Sequence, residues 1–330
     1  MTKNVLLKVC IVILLSACAS TSKNSASKEP ENRHETITSS FDDVDTSHFV
    51  QHELIGVQNP KPLMDLPATE DGGFVLSKGF YEADFKSYCL QPGTPDPRSG
   101  DAYFRAPLTG QRKEIIQAIL RNSQRKPYLD QRNVQLLLWS VVSKSNFDNL
   151  SSPVQFTARE LLTSKQIYEL RGGTMGVVKQ VVKYSGITGA NNDIARLFEI
   201  GNSSYEVYEQ VAVLREPATY SRPDFKRDQW YKTQDGYYVR YFPSGYKNVK
   251  IQVYVPDNAI DSSKIAAGHY LVFDPTSMVI VPAYSNTQRL GIGAPVVDII
   301  RQVIKIEKNL PPPPPRKMPQ ETPKTTKPQQ

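Results

Sequence analysis

Residues 79–90 read GFYEADFKSYCL, and we take this stretch to decide the fold. It is rich in aromatic residues, as strands are, and Pro92-Gly93 follows it after Gln91. A shorter run of the same kind, Phe74–Leu76, precedes it after Gly72-Gly73. Together the two runs predict a β-hairpin near the N-terminal side of the folded chain.

The pattern changes after this hairpin. Four prolines and two glycines between Pro92 and Leu108 predict a loop. Apolar residues then recur at helical spacing, and Asp130 is a plausible N-cap for one of the segments. The predicted helices span residues 111–122, 131–142, 158–170, 177–184, 192–199 and 205–214.

Strand patterns return in the last third of the chain. Three runs, 229–233, 237–242 and 249–255, are typical of strands, and Asp235-Gly236 predicts a hairpin turn between the first two. A second hairpin is predicted from 270–274 and 278–282 around Pro275-Thr276. A final segment, Val296–Lys308, has helical spacing and is expected to pack on its own domain.

These patterns predict an α+β fold with two domains. The first, 48–220, is a mixed, mainly helical domain that carries the N-terminal β-hairpin. The second, 221–308, is a small antiparallel β-sandwich-like domain with a C-terminal helix. We place the boundary near Pro217–Asp228, where prolines and charges interrupt the pattern.

The first eighteen residues predict export. Lys3 and Lys8 precede an apolar run, Val9–Leu15, which is too short to span a bilayer, and residues 1–17 therefore match a secretory signal peptide. Leu15-Ser16-Ala17-Cys18 resembles the lipobox of bacterial lipoproteins. The resemblance implies lipidation of Cys18 with acyl chains such as palmitate, and Ala19 in place of Asp implies the outer membrane.

Both ends of the mature chain are expected to be flexible. Residues 18–47 are polar and predict a lipidated tether, and residues 309–330 predict a disordered tail that begins with five prolines, 311–315. The chain has 40 basic and 33 acidic residues. Because much of the basic excess lies in the signal peptide and the tail, the folded part does not indicate nucleic-acid binding.

Motifs for catalysis or metal binding are missing from the sequence. There is no G-x-S-x-G elbow, and Gly291-Ile292-Gly293 lacks the strand-to-helix context of a dinucleotide site. His48 and His52 have the spacing of two metal ligands on one helix face, but no further ligand motif accompanies them, and we expect solvated surface. The sequence therefore predicts neither catalytic residues nor a metal or cofactor.

Cys89 is the one free thiol expected in the exported chain, since Cys10 leaves with the signal peptide and Cys18 is lipidated. Tyr88-Cys89-Leu90 ends a predicted strand, and Gln135 shares a helix stripe with Trp139. Residues 88–142 thereby resemble the thioester domains of bacterial surface adhesins. The resemblance implies a bond between the Cys89 thiol and Gln135 that captures an amine, although larger residues follow Gln135 than in that family. The alternative is a buried Cys89 that acts as a small apolar residue.

Three functions follow as hypotheses. The first is a non-catalytic outer-membrane lipoprotein, facing the periplasm or the exterior. It would be a structural or interaction component of a multi-subunit envelope assembly, such as the outer-membrane part of a secretion machine. The second is a surface adhesin with an internal thioester between Cys89 and Gln135. The third is an envelope hydrolase acting on glycan or peptide, which would need a cleft with convergent polar groups.

Overall fold

The computed structural model describes residues 40–50, 59–172, 189–218, 224–283, 286–296 and 303–304. The helices are α1 (Lys113–Gln124), α2 (Gln131–Val142), α3 (Ser152–Leu161), α4 (Ser164–Leu170), α5 (Gly189–Glu199), α6 (Tyr205–Ala212) and α7 (Ser262–Ala266). The strands are β1 (Phe49–Val50), β2 (Lys61–Pro62), β3 (Ala68–Thr69), β4 (Phe74–Val75), β5 (Gly79–Cys89), β6 (Thr94–Pro95), β7 (Tyr103–Ala106), β8 (Val213–Leu214), β9 (Trp230–Lys232), β10 (Tyr238–Ser244), β11 (Asn248–Val255), β12 (Val272–Phe273), β13 (Val279–Pro282), β14 (Leu290–Pro295) and β15 (Val303–Ile304).

Most of the strands form one antiparallel sheet that closes on itself. Its order is β1-β9-β10-β11-β5-β14-β13-β7, and β7 also pairs with β10 through Tyr103 and Tyr241. This last pairing closes β10, β11, β5, β14, β13 and β7 into a barrel. Inward residues of β11 such as Val249, Ile251 and Val253 are fully buried, as a barrel core requires.

The long strand β5 is the centre of this sheet. It pairs with β11 from Gly79 to Lys86 and with β14 from Phe85 to Cys89. Both of its edges are therefore occupied over much of its length by strands that come from the last third of the chain.

The helices form a layer against the β5–β14 side of the barrel. α2 is its central helix, because every residue from Val134 to Val142 is buried. Asp130 caps it by accepting a hydrogen bond from the main-chain N–H of Arg132 at 2.7 Å, as the sequence predicts. α1 packs on β14, and α3, α5 and α6 surround α2.

The α+β class is confirmed, and so are the predicted strand at 79–90, the helix at 131–142 and the hairpin of β9 and β10. The predicted N-terminal hairpin is wrong, because β4 pairs with β3 and β12 while β5 pairs with β2, β11 and β14. The turn of that hairpin uses Gly236 at φ +89°, where a glycine is favoured. The prediction for residues 92–108 is wrong, because this segment contains β6 and β7 as well as loop. The predicted helix 158–170 is two helices that begin earlier, at Ser152, and break at Leu162 and Thr163.

Two further predictions in the last third are wrong. Residues 270–274 and 278–282 do not form a hairpin with each other, because β12 pairs with β4 while β13 pairs with β7 and β14. Val303 and Ile304 do not continue a helix from Val296 but form β15, which runs parallel to β3. In both cases the partner strand lies far away in sequence.

The predicted domain boundary near Pro217–Asp228 does not divide the structure. β5 and β7 lie before it and β10, β11, β13 and β14 lie after it, yet all belong to one barrel. The predicted tether is also too long, since folded structure is present from residue 40. Phe41 packs against Phe104 and Phe225 with ring centroids 6.1 and 4.7 Å away, and Val44 is buried.

Several predictions lie outside the described residues. These are the signal peptide 1–17, Cys18, the tether up to residue 39, the helix 177–184 and the tail 309–330. Among the helices of the described ranges, none has the length and apolar character needed to cross a membrane.

Candidate functional site

Cys89 is the last residue of β5 and lies beyond the end of the neighbouring strand β11. On one side Cys89 is opposite Leu290 of β14. On the other side β11 reaches only as far as Lys86, which pairs with Asn248. The main chain of Cys89 is therefore not paired by β11, although the residue is completely buried.

The side chain of Gln135 takes the place of the missing strand. The N–H of Cys89 donates to Gln135 Oε1 at 2.8 Å, and Gln135 Nε2 donates to the carbonyl of Cys89 at 2.9 Å. One turn earlier on α2, Gln131 Nε2 donates to the carbonyls of Ser87 and Lys247 at 3.1 and 2.7 Å. Two glutamines at i, i+4 spacing thus continue the hydrogen bonding of β5 after β11 ends.

The structure therefore brings together the two residues singled out by their resemblance to thioester domains. The side chain of Gln135 is 1% exposed and Cys89 is 0% exposed. The contacts made by the carboxamide go to the main chain of Cys89, and they fix the amide plane beside the residue that carries the thiol.

The thiol of Cys89 is held in its neutral form. Burial, the largest influence, raises the pKa of Cys89 to about 12, while the Trp139 side chain and the Gln91 main chain partly offset it. A thiol with so high a pKa is a poor nucleophile and a poor metal ligand, because the thiolate is the reactive form. A reaction of this thiol would therefore need a neighbouring group to activate it.

An aromatic and acidic cluster lies beside this pair. Trp139, one helical turn after Gln135, stacks on Tyr205 with ring centroids 5.7 Å apart. The hydroxyl of Tyr205 lies 2.7 Å from that of Tyr246, which donates a short hydrogen bond to the carboxylate of Glu209. The chain of contacts links the buried Cys89–Gln135 pair to α6 and to the turn between β10 and β11.

Charged groups close the outer end of this cluster. Lys247 Nζ lies 2.9 Å from Glu209 Oε1, and Arg215 lies 3.3 Å from Asp96 and 3.8 Å from Glu209. The N–H of Tyr246 donates to Asp96 Oδ1 at 2.9 Å. Burial nevertheless dominates at Asp96 and raises the pKa of its carboxyl.

The sequence reasoning missed this cluster. Tyr205, Glu209 and Tyr246 come from a helix and a turn that are distant in sequence, and no spacing motif connects them. The only local signal was the burial expected of Trp139 beside Gln135.

Of the two candidate metal ligands, His48 and His52, the structure describes only His48. His48 Nδ1 lies 2.8 Å from the carbonyl of Lys232, and its Nε2 lies 3.2 Å from Asp45 Oδ2. His52 lies outside the described residues. Across the ranges that the structure covers, no group of three or more His, Cys, Asp or Glu side chains is arranged to hold a metal ion.

No protein-family model matches this chain, and neither a curated protein nor a solved structure shows significant similarity to it.

Proposed function

We propose that this protein is a non-catalytic, lipid-anchored envelope protein in which Cys89 and Gln135 form an internal thioester that attaches it covalently to an amine. The observation that carries the proposal is the double hydrogen bond of 2.8 and 2.9 Å between the Gln135 carboxamide and the Cys89 main chain. It supports the proposal because it places an acyl donor beside the one free cysteine found in the described residues.

The chemistry of bond formation balances without a cofactor. The Cys89 sulfur bonds to Cδ of Gln135, the Cδ–Nε2 bond breaks, and Nε2 leaves as ammonia with the thiol proton. The N–H of Cys89 that donates to Oε1 polarises the carbonyl towards attack, as donors in an oxyanion hole do. Capture of an amine then forms an amide at Cδ and returns the thiol.

The surroundings of Cys89 and Gln135 would protect a thioester from water until it reacts with an amine. Both residues are buried, so water has little access to a thioester between them. The same burial means that an amine reaches Cδ only after the helices around α2 move.

Intact-mass spectrometry of the full chain tests the thioester. We expect a mass about 17 Da below the covalent formula of the purified lipoprotein, because ammonia is lost, and full mass for Cys89→Ala. Treatment with methylamine should then raise the mass to about 14 Da above the formula and free one thiol.

The control is Cys89→Ser, which keeps the size of the side chain and its position on β5. It should show full mass and no methylamine adduct while retaining the circular dichroism of the unchanged protein. A wild-type chain of full mass that is folded by the same criterion overturns the proposal.

Attachment to the outer membrane through Cys18 belongs to the same proposal and rests on the sequence. A covalent link to a neighbouring molecule would make the protein a component of an envelope assembly, which is the first function expected from the sequence. The hydrolase hypothesis stays a prediction.

A further inference from the structure

A cleft of about 350 Å³ lies on the outer face of the barrel, and neither Cys89 nor Gln135 lines it. Its walls come from the three neighbouring strands β10, β11 and β5 and from the segment before β9. They include Asp84, Arg227, Phe242, Ser244, Asn248 and Lys250.

The register of the sheet places these side chains in two rows. Phe242 lies opposite Lys250, which in turn lies opposite Asp84 on β5. Ser244 lies opposite Asn248 in the next row. Because side chains alternate along a strand, the residues between them point into the core, and these rows face outward together.

Three polar side chains in these rows have no hydrogen-bond partner in the described part of the protein. The carboxylate of Asp84, the hydroxyl of Ser244 and the amide of Asn248 make no hydrogen bond with any described residue. Gln252 on the cleft wall differs, since it accepts from Arg240 Nε at 2.7 Å and donates to Glu82 at 2.9 Å. Asp84, Ser244 and Asn248 are exposed, and all three line the same cleft.

A cation is held at the edge of the same space. The guanidinium of Arg227 lies 5.3 Å from the ring centre of Phe242, a distance at which a cation–π contact holds it. Its Nε is buried and has no acceptor among the described residues. Lys250 lines the cleft as well, and its ion-pair partner among the described residues is Glu82, at 3.9 Å.

We propose that this cleft binds an acidic saccharide. The two cations, Arg227 and Lys250, suit a sugar carboxylate, and the guanidinium presents planar, forked donors to it. Asp84, Ser244 and Asn248 offer the mixture of acceptors and donors that ring hydroxyls need. The charged residues that line the cleft are Arg227, Lys250 and Asp84, a net charge of +1, and this suits a singly charged uronate better than a dianion such as phosphate.

The size of the cleft limits the ligand further. Ligand sites in proteins range over roughly 300–1,000 Å³, and this cleft lies at the small end. It therefore accommodates one or two sugar rings of a longer chain rather than an extended polymer segment.

Calorimetric titration of the full chain tests the proposal with trigalacturonate and a hyaluronan tetrasaccharide as acidic probes and maltotriose as the neutral one. We expect an acidic probe to bind and maltotriose to show no heat. Arg227→Gln should weaken binding about tenfold or more, because it removes a charged hydrogen-bond donor. Asn248→Ala should weaken it less.

Arg196→Gln is the matched control, since Arg196 is exposed on α5 and outside the cleft. It should bind as the unchanged protein does, and so should Cys89→Ala, which separates this site from the thioester. Failure of both acidic probes to bind overturns the proposal. So does equal binding of maltotriose, or unchanged affinity in Arg227→Gln and Asn248→Ala when circular dichroism shows both to be folded.

Discussion

Two opposing effects act on the pKa of the Glu209 carboxylate, which lies in the cluster beside the Cys89–Gln135 pair. Burial is the larger single influence and disfavours its charge. The hydrogen bonds from Tyr246 and Lys247, with the charges of Lys247 and Arg215, together outweigh burial and hold the pKa of Glu209 below its ordinary range. Tyr246 in turn packs near Trp139, with ring centroids 6.5 Å apart, so the charge of Glu209 supports the wall of the Cys89–Gln135 pair.

The lowered pKa gives stability a definite pH dependence. Because the folded-state pKa of Glu209 lies below its unfolded value of about 4.3, ionised Glu209 stabilises the fold above that pH. The contribution is lost as the pH falls through the folded-state value. We expect Glu209→Gln to lower the free energy of unfolding at pH 7 by about 1–3 kcal/mol. The difference from the unchanged protein should shrink as urea titrations are moved to about pH 3.

Glu199→Gln is the control, because Glu199 is an exposed carboxylate on α5. Its substitution should leave stability within about 0.5 kcal/mol at both pH values. An equal loss for Glu209→Gln at pH 7 and pH 3 would show that packing, not charge, explains its role.

At the scale of elements, the contact between α1 and β14 depends on two glycines. A Cβ at Gly291 would lie 2.7 Å from Leu120 Cδ1, and a Cβ at Gly293 would lie 2.5 Å from Ser123 Oγ and 2.7 Å from Tyr88 Cε2. The Gly291-Ile292-Gly293 segment, which is not a dinucleotide motif, thus lets α1 lie directly on the strand.

Gly293→Ala should therefore destabilise the protein. The added methyl group meets Tyr88 and Ser123, and overpacking of this kind costs about 1–3 kcal/mol. A urea titration followed by far-UV circular dichroism measures the loss. Gly100→Ala is the matched control, since a Cβ there meets no atom within 4 Å. Similar stability in the two variants would contradict the proposed close packing.

Elements governed by local chemistry were predictable from sequence. α2 was predicted with its correct bounds because Asp130 caps it and no Gly or Pro interrupts it. The turn between β9 and β10 was predicted because Gly236 permits a positive φ. The pairing of β12 and β15 with distant strands was not, since a short apolar run carries no information about its partner.

The same distinction holds for the candidate site. Cys89 and Gln135 were paired by a resemblance between two short motifs, and the structure places them in contact. Tyr205, Tyr246 and Glu209 were not foreseen, because their contacts depend on how α6 docks on the turn after β10. The outer cleft also depends on sheet register, which alternation within a single strand does not define.

At the scale of the whole molecule, the barrel makes the two halves of the chain depend on each other. β5 lies between β11 and β14, so a chain that ended near residue 218 would leave β5 paired only with the two residues of β2. Unpaired edges of a long strand are unstable and prone to association. We therefore infer that residues before and after the predicted boundary unfold together rather than as separate domains.

The two tryptophans provide a direct measurement, because Trp139 lies on α2 and Trp230 lies on β9. Trp230→Phe leaves a fluorescence probe in the helical layer, and Trp139→Phe leaves one in the β-rich part. In each variant the urea transition seen by fluorescence should coincide with the one seen by far-UV circular dichroism, as a single cooperative unit requires. Each variant is compared with its own circular dichroism, so a change in overall stability does not affect the result. If the transition of Trp230 fluorescence occurs at a different urea concentration from the far-UV circular dichroism transition, the β-rich part unfolds as an independent domain. That result would contradict the inference that the barrel makes the two halves unfold together.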